Sequence, residues 1–257
     1  MNLYTYDYLE KNGRLGNQLW QIAATICRAE LSGGMATFRP DWEYRPYFSV
    51  PDYYFNKDLR PHMWDKIIDG GTEYFQDFSN FEPIEDLIRQ YFTPKETRNR
   101  YASDKTTCAI HVRRGDYLKY PNHFPIMTQK YFTDATTVVR EDHEAVAFYV
   151  FSDDPDWCEA NPQHFGFKDR DDVTFHRGVT RPVEVVDRVG APQDQWDMFE
   201  MAAMDEHIIS NSTFSWWSAF LSQNRSPIYP NRWFGKQVPN GVHWEKCIPD
   251  GWRKFAC

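Results

Sequence analysis

Two arginines directly behind a strand-like run are the most chemically pointed feature of this sequence: residues 110–117 read IHVRRGDY. A guanidinium stays charged at any working pH and presents paired N–H donors that match a phosphate or a carboxylate two oxygens at a time. Arg113 and Arg114 could therefore neutralise a departing diphosphate. A structural pairing with Asp116 or with another acidic turn explains them equally well. A second cluster, FYVFSDDPDW, ends another apolar run with Asp153 and Asp154. Adjacent carboxylates bind a divalent metal, move protons, or brace arginines. Bracing is the expected role and a metal the second choice, because no further carboxylate pattern accompanies the pair. A third cluster, SNSTFSWW, puts Ser212, Thr213 and Ser215 in a loop ahead of an expected helix. Hydroxyls beside the free N–H groups of a helix start can hold an anion. Simple N-capping accounts for one of these hydroxyls but not for several. His111 lies inside the strand run, where a lone histidine is more often a structural hydrogen-bonder. Asn17 sits in GRLGNQ, a strand-to-helix turn in which an amide caps the helix or meets a ligand.

These residues must be positioned by a chain of 257 residues, enough for one large or two small domains. The net charge of −8 speaks against a broad nucleic-acid surface, though a small phosphorylated ligand needs only two or three cations. Aromatics reach 17%, with 10 Trp, an excess that suits sugar-stacking clefts as well as cores. No apolar run is long enough for a membrane span. The opening MNLYTYDYLEKNG lacks the pattern of a signal peptide. Five scattered cysteines form no C-x-x-C or Cys/His cluster, so a structural zinc is not expected and a reducing, cytoplasmic setting is.

The hydrophobic pattern predicts a strand at LYTYDYL, then a turn at 12–16. A helix follows through Leu19, Ile22, Ala23 and Ile26, ending at Gly33-Gly34. MATF begins another strand. Residues 40–97 are rich in Pro and aromatics and yield only one clear helix, PIEDLIRQYF. The polar stretch TPKETRNRYASDKTT reads as a linker. Beyond it, strands at CAIHV, AVAFYVF, DVTFH, HIIS and PIYP alternate with helices at QKYFTDATTVVRED, QDQWDMFEMAAMDE and FSWWSAFLS. Such alternation predicts βαβ units and parallel sheets, whose ligands sit beyond the carboxyl ends of the strands. RRGD, SDDPD and NSTFS all fall there.

Taken in order, GRLGNQLWQIA, EYFQDFSNFEPIEDLIRQYF, HVRRGDY, FYVFSDDPDW, DMFEMAAMDEHIISNSTFSWWSAFL and YPNRWF resemble the α1,2-fucosyltransferases of glycosyltransferase family 11 over essentially the whole chain. The resemblance implies an α/β fold of GT-B type, two Rossmann-like domains with the active site in the cleft between them. Residues 1–104 would face the acceptor and residues 105–257 would bind GDP-fucose. It implies an inverting transfer of L-fucose to a glycan hydroxyl, O2 of a terminal galactose, with no metal and no cofactor beyond the donor substrate. Arg113 would bind the β-phosphate and stabilise departing GDP. Arg114 would support it or the acidic turn, and His111 would lie near the nucleotide. Asp197 is similar to an aspartate that reads guanine in the more distant α1,6-fucosyltransferases, and Asp153 and Asp154 to a paired-aspartate turn there. Ser212 and Thr213 would touch phosphate oxygens. Asp116, Asn211, Phe214 and Ser215 complete the same two donor motifs. Asn17 is similar to a turn asparagine near the reacting centre of the protein O-fucosyltransferases. The chain departs from the family pattern at Arg14, where GGLGNQ is usual.

The partners implied are a nucleotide-sugar donor and a glycan acceptor, with no nucleic acid and no membrane anchor, as in a soluble microbial or viral member; oligomeric state is not implied. The alternatives are a transferase using another GDP-sugar or linkage, and a catalytically idle nucleotide- or glycan-binding protein.

Overall fold

The computed structural model describes residues 2–56, 64–66, 74–96, 101, 103–168, 173–177, 194–224, 226–237 and 243–257. The chain divides into two compact units. One comprises Met1–Thr97, Gly190–Gln195 and His243–Pro249; the other comprises Arg98–Val189, Trp196–Val242 and Asp250–Cys257. Each carries a parallel sheet, as the alternating pattern predicted.

In the first unit, β1 (Leu3–Thr5) leads into α1 (Leu15–Leu31), and β2 (Met35–Ala36) and β3 (Trp64–Lys66) flank β1 in the order β2-β1-β3. The strand expected over LYTYDYL stops at Thr5, because the pairing with β3 ends there and the chain turns, Lys11 N–H donating to the Tyr8 carbonyl. In α1, Leu19, Ile22, Ala23 and Ile26 are buried as the helical spacing required. Most of the aromatic stretch after β2 forms short turns held by ring packing. Trp42 stacks on Phe48 and on Phe55, with ring centroids 5.8 and 6.0 Å away, and donates its indole N–H to Gln18. Packing of this kind has no sequence period, which is why the segment resisted a pattern reading. The helix in PIEDLIRQYF is α2 (Glu85–Phe92), entered through a 3-10 turn at Glu82–Ile84.

The second unit runs β4 (Thr106–Val112), α3 (Gln129–Asp142), β5 (Val146–Ser152), α4 (Pro155–Ala160), β6 (Val173–Phe175), α5 (Asp194–Ala202), β7 (Glu206–Ile208), α6 (Thr213–Leu221), β8 (Ile228–Pro230) and β9 (Arg253–Phe255). PIYP is therefore not the last strand. Nor is SDDPDW only a turn, since it opens α4 with Asp154 as the N-cap and Pro155 at the first helical position. The expected linker is also partly structural: Tyr101 packs against Tyr149, with centroids 4.3 Å apart; residues 97–100 and 102 of that stretch lie outside the described residues.

The six strands lie in the order β6-β5-β4-β7-β8-β9, all parallel. Counted from its own first strand this is 3-2-1-4-5-6, the order of dinucleotide-binding sheets. Both faces of β4 are buried, so its side chains split by period 2. Cys108, Ile110 and Val112 meet Tyr131, Phe132, Ala135 and Val139 of α3 on one face. Ala109 joins Phe151, Met201 and Met204 in a separate cluster, the alternate set to which His111 also belongs. Among the described residues no helix is long and apolar enough to cross a membrane.

Candidate functional site

In an open sheet of this order, the strands leave the first strand in opposite directions, and a crevice opens where the connections diverge. Here that point lies between β4 and β7, and one residue fastens it. Ser210, fully buried just past β7, donates its hydroxyl to the His111 carbonyl at 2.6 Å and accepts the Arg113 backbone N–H at 3.2 Å. Sequence reasoning did not single out Ser210; its place behind a strand and its position in SNSTFS were the available signals.

Arg113 emerges directly from this clasp. Its guanidinium reaches Asp116 at 2.6 Å and Asp153 at 2.9 Å and lies 5.4 Å over the Tyr117 ring. Asp153 also accepts the Arg114 backbone N–H at 2.9 Å. A Cβ on Gly115 would stand 2.6 Å from an Asp153 carboxylate oxygen, so only glycine lets the loop come this close. The Arg114 side chain turns to Asp154 at 3.1 Å and stacks 3.6 Å over Trp157. The expectation that the two aspartates brace the two arginines is thus what the structure shows. Trp157 was missed, because only the helix opened by Pro155 brings it under Arg114.

Beside the arginines, α6 points its first turn toward the same edge. Ser212 is its N-cap, accepting weakly from Phe214 N–H at 3.4 Å. Thr213 and Ser215 are therefore helical with Phe214, not in a loop ahead of the helix as expected, since the Ser212 cap starts the helix at Thr213. Thr213 and Phe214 are half-buried. Ser215 is fully buried and spends its hydroxyl on the Ser210 and Ser212 carbonyls, a structural fastening. Asn211 is buried as well; its side-chain amide donates to the Trp233 carbonyl at 2.8 Å, and its backbone carbonyl accepts the Tyr117 hydroxyl at 2.9 Å. Asp197, on α5, hydrogen-bonds His176 at 2.8 Å.

The His111 ring packs against Phe214, centroids 5.6 Å apart. Burial pushes its pKa down to about 4, and the nearby charges of Asp153 and Asp197 only partly counter this. His207 is pushed down to about 4 for the same reason. Both rings are neutral at pH 7. Their folded values lie below the ordinary 6.5, so the unfolded chain takes up protons first, and stability is lost as pH falls from about 6.5 to about 4. Urea unfolding midpoints measured at successive pH values should decline through that window. A His207→Gln variant should decline less.

Asn17 belongs to the first unit, in the first turn of α1, and accepts the Gln76 amide at 3.0 Å. Two buried glutamines one and four residues on tie the helix back to its entry turn: Gln18 donates to the Gly13 carbonyl and Gln21 to the Asn12 carbonyl. Gly13 has φ of +89°, and a Cβ there would lie 2.3 Å from the Asn17 amide nitrogen. Arg14, the departure noted above, is the exposed N-cap residue. The structure thus gathers His111, Arg113, Arg114, Asp116, Asp153 and Asp154 with Asn211, Ser212, Thr213, Phe214 and Ser215 at the strand ends of the second unit, while Asn17 stands in the other unit.

The family model of glycosyl transferase family 11 matches residues 34–232, which include every one of these residues except Asn17. The chain belongs to glycosyl transferase family 11. Among curated relatives of this family 11 chain, an alpha-1,2-colitosyltransferase of Escherichia coli is 30% identical over 215 residues, 77% of this chain and 68% of that protein. A galactoside 2-alpha-L-fucosyltransferase of Caenorhabditis elegans is 31% identical over 175 residues, 63% of this chain and 44% of that one. The chain thus spans about two thirds of the first relative's length and less than half of the second's. A solved structure, the fucosyltransferase NodZ from Bradyrhizobium, aligns with 86% of this chain and 93% of its own at 13% identity and a TM-score of 0.48, a likeness too distant to place individual residues.

Proposed function

We propose that this family 11 glycosyltransferase moves L-fucose from GDP-fucose to a hydroxyl of a glycan acceptor, O2 of a terminal galactose, with inversion at the anomeric carbon. The observation that carries the reading is the fixed guanidinium of Arg113 at the switch point between β4 and β7, beside the start of α6. Breaking the bond between the sugar and the diphosphate sends negative charge onto the diphosphate as the anomeric carbon becomes cationic. Donors already aimed at that charge stabilise the transition state more than the ground state. Arg113 and the N–H groups of the α6 first turn are such donors. Arg114, stacked and paired behind them, holds the loop. The acceptor hydroxyl attacks from the face opposite the diphosphate and gives up its proton to a general base, while the bond to the diphosphate breaks and the diphosphate leaves with its electron pair.

The relatives' names support the sugar class and the linkage, and they favour one further donor. Colitose is fucose without its 3-hydroxyl, so GDP-colitose is the second reading. The deciding experiment incubates the purified chain with GDP-fucose or GDP-colitose, with and without lactose or N-acetyllactosamine, and follows GDP release. Acceptor-dependent release with GDP-fucose supports the main reading, and release only with GDP-colitose supports the second. Binding of GDP without turnover on either galactoside would point to a binding protein or to an acceptor outside the galactosides. We also propose that the transfer needs no metal. Activity should be unchanged in excess EDTA, and a loss restored by a divalent cation would return Asp153 and Asp154 to the role of ligands.

A further inference from the structure

Tyr117, the last residue of HVRRGDY, occupies a place to which the donor chemistry above gives no part. It opens a 3-10 turn, Tyr117–Lys119, directly after the arginine loop. Its ring lies under the Arg113 guanidinium, 5.4 Å from ring centroid to the central carbon. Its hydroxyl donates to the Asn211 backbone carbonyl at 2.9 Å, and Asn211 directly precedes Ser212, the N-cap of α6. One side chain therefore touches both the cation and the chain that enters the helix start. The ring is also held from behind. It stacks on Phe124, with centroids 4.7 Å apart and planes 17° from parallel, and Phe124 packs in turn on Phe234 at 6.0 Å. Backbone pairing fixes this second layer: Gly235 N–H donates to the His123 carbonyl at 2.8 Å and Gln237 N–H to the Asn122 carbonyl at 3.0 Å. A Cβ on Gly235 would stand 2.3 Å from the Asn122 carbonyl oxygen, so the two segments approach as closely as only glycine permits. The circuit closes where the Asn211 side-chain amide donates to the carbonyl of Trp233, the residue before Phe234.

We propose that Tyr117 is a positioning residue that holds the Arg113 guanidinium in register with the start of α6, so that both meet one diphosphate; this rests on the donor-site reading above. The guanidinium also meets the carboxylates of Asp116 and Asp153, which hold it by taking up its charge. An aromatic face attracts a cation through its quadrupole and stays neutral. The ring therefore steadies the guanidinium while leaving its positive charge to an incoming anion. The hydroxyl adds a second constraint, because its bond to the Asn211 carbonyl sets where the ring stands relative to α6. The two halves of the receptor thus keep their spacing before the ligand arrives. Donors fixed in advance are the ones that act most strongly on charge developing in a transition state.

The test compares Tyr117→Phe, Tyr117→Leu, Arg113→Ala and the Arg113→Ala/Tyr117→Leu double variant, each in the full chain. It reads kcat and KM for acceptor-dependent GDP release, and Kd for GDP and for GMP, which lacks the β-phosphate. Tyr117→Leu removes both contacts and should lower kcat by about 10- to 30-fold with KM little changed. Tyr117→Phe keeps the ring and should lose about 3-fold. The preference for GDP over GMP should shrink in the same order, by about 5-fold in Tyr117→Leu. With Arg113 already gone, Tyr117→Leu should cost less than about 2-fold more, because its effect runs through the guanidinium. An equal loss with and without Arg113 would make Tyr117 a support of the fold alone and overturn the proposal. A reduced Arg113→Ala beside parental Tyr117 variants would overturn the positioning role and leave the donor reading standing. A near-parental Arg113→Ala would remove the donor reading and this role with it. If Tyr117→Leu does not fold, Tyr117→Phe decides, and an unchanged GDP-to-GMP preference there sinks the role.

Discussion

Replacing Arg113 with alanine should lower the turnover of sugar transfer by about 100- to 1,000-fold, the usual consequence of removing one preorganised donor from developing oxyanion charge. The effect should fall on kcat more than on KM, since the diphosphate gains its charge during the reaction. The fold should survive. The two carboxylates left behind, Asp116 and Asp153, have side chains 47% and 25% exposed and can turn to water. Arg113→Lys should fall between, because an ammonium keeps the charge and loses the fork. Acceptor-dependent GDP release and far-UV circular dichroism, measured on the same preparations, check both halves. Near-parental turnover in a folded Arg113→Ala protein would remove the leaving-group role.

Trp216→Ala should produce the largest loss of stability, about 3–5 kcal/mol. Trp216 is completely buried in α6. It stacks on Phe220 with centroids 4.9 Å apart and also meets Trp217 and Trp252. Removing the indole leaves a void whose lining comes from α6 itself and from the residues before β9, and a rigid lining cannot close it. Against the 5–15 kcal/mol that holds a typical domain together, this is a large share. Trp216→Phe, which keeps a ring in the stack, should lose distinctly less. Urea unfolding followed by circular dichroism gives the comparison, and a Trp216→Ala protein within about 1 kcal/mol of the parent would show that the stack contributes little.

The elements that carry the site were legible because each buries its residues by a regular rule. β5 is a continuous apolar run, β4 is rich in buried strand-forming residues, and α3 presents Tyr131, Ala135 and Val139 at helical spacing. The pairing of Arg113 and Arg114 with Asp153 and Asp154 could be anticipated, because opposite charges ending adjacent parallel strands have little else to meet. β9 could not. Its three residues, Arg253, Lys254 and Phe255, carry no strand pattern and are held by pairing with β8 and by the Arg253 N–H donating to Pro227. β3 is equally short. Ser210 stayed hidden because a serine reveals its clasp only once β4 and β7 are neighbours, 97 residues apart at Arg113. Tyr101 and His176 are 75 residues apart and belong to no motif, so only the tertiary fold brings them to Asp197.

A guanidinium that already holds two carboxylates is a selective receptor. A singly charged anion arriving at Arg113 would have to displace Asp116 and would bring no more charge than it removes. A nucleoside diphosphate brings more charge and more oxygens, so it outcompetes where small ambient anions do not. In the proposed transfer the same exchange would run backward at the end of each cycle. As the product leaves, Asp116, tethered three residues away, can re-pair with the cation, which is spared the cost of standing alone in a largely buried place. In the transfer we propose, Asp116 would thereby serve as an internal counterion that favours turnover over tight retention of the product.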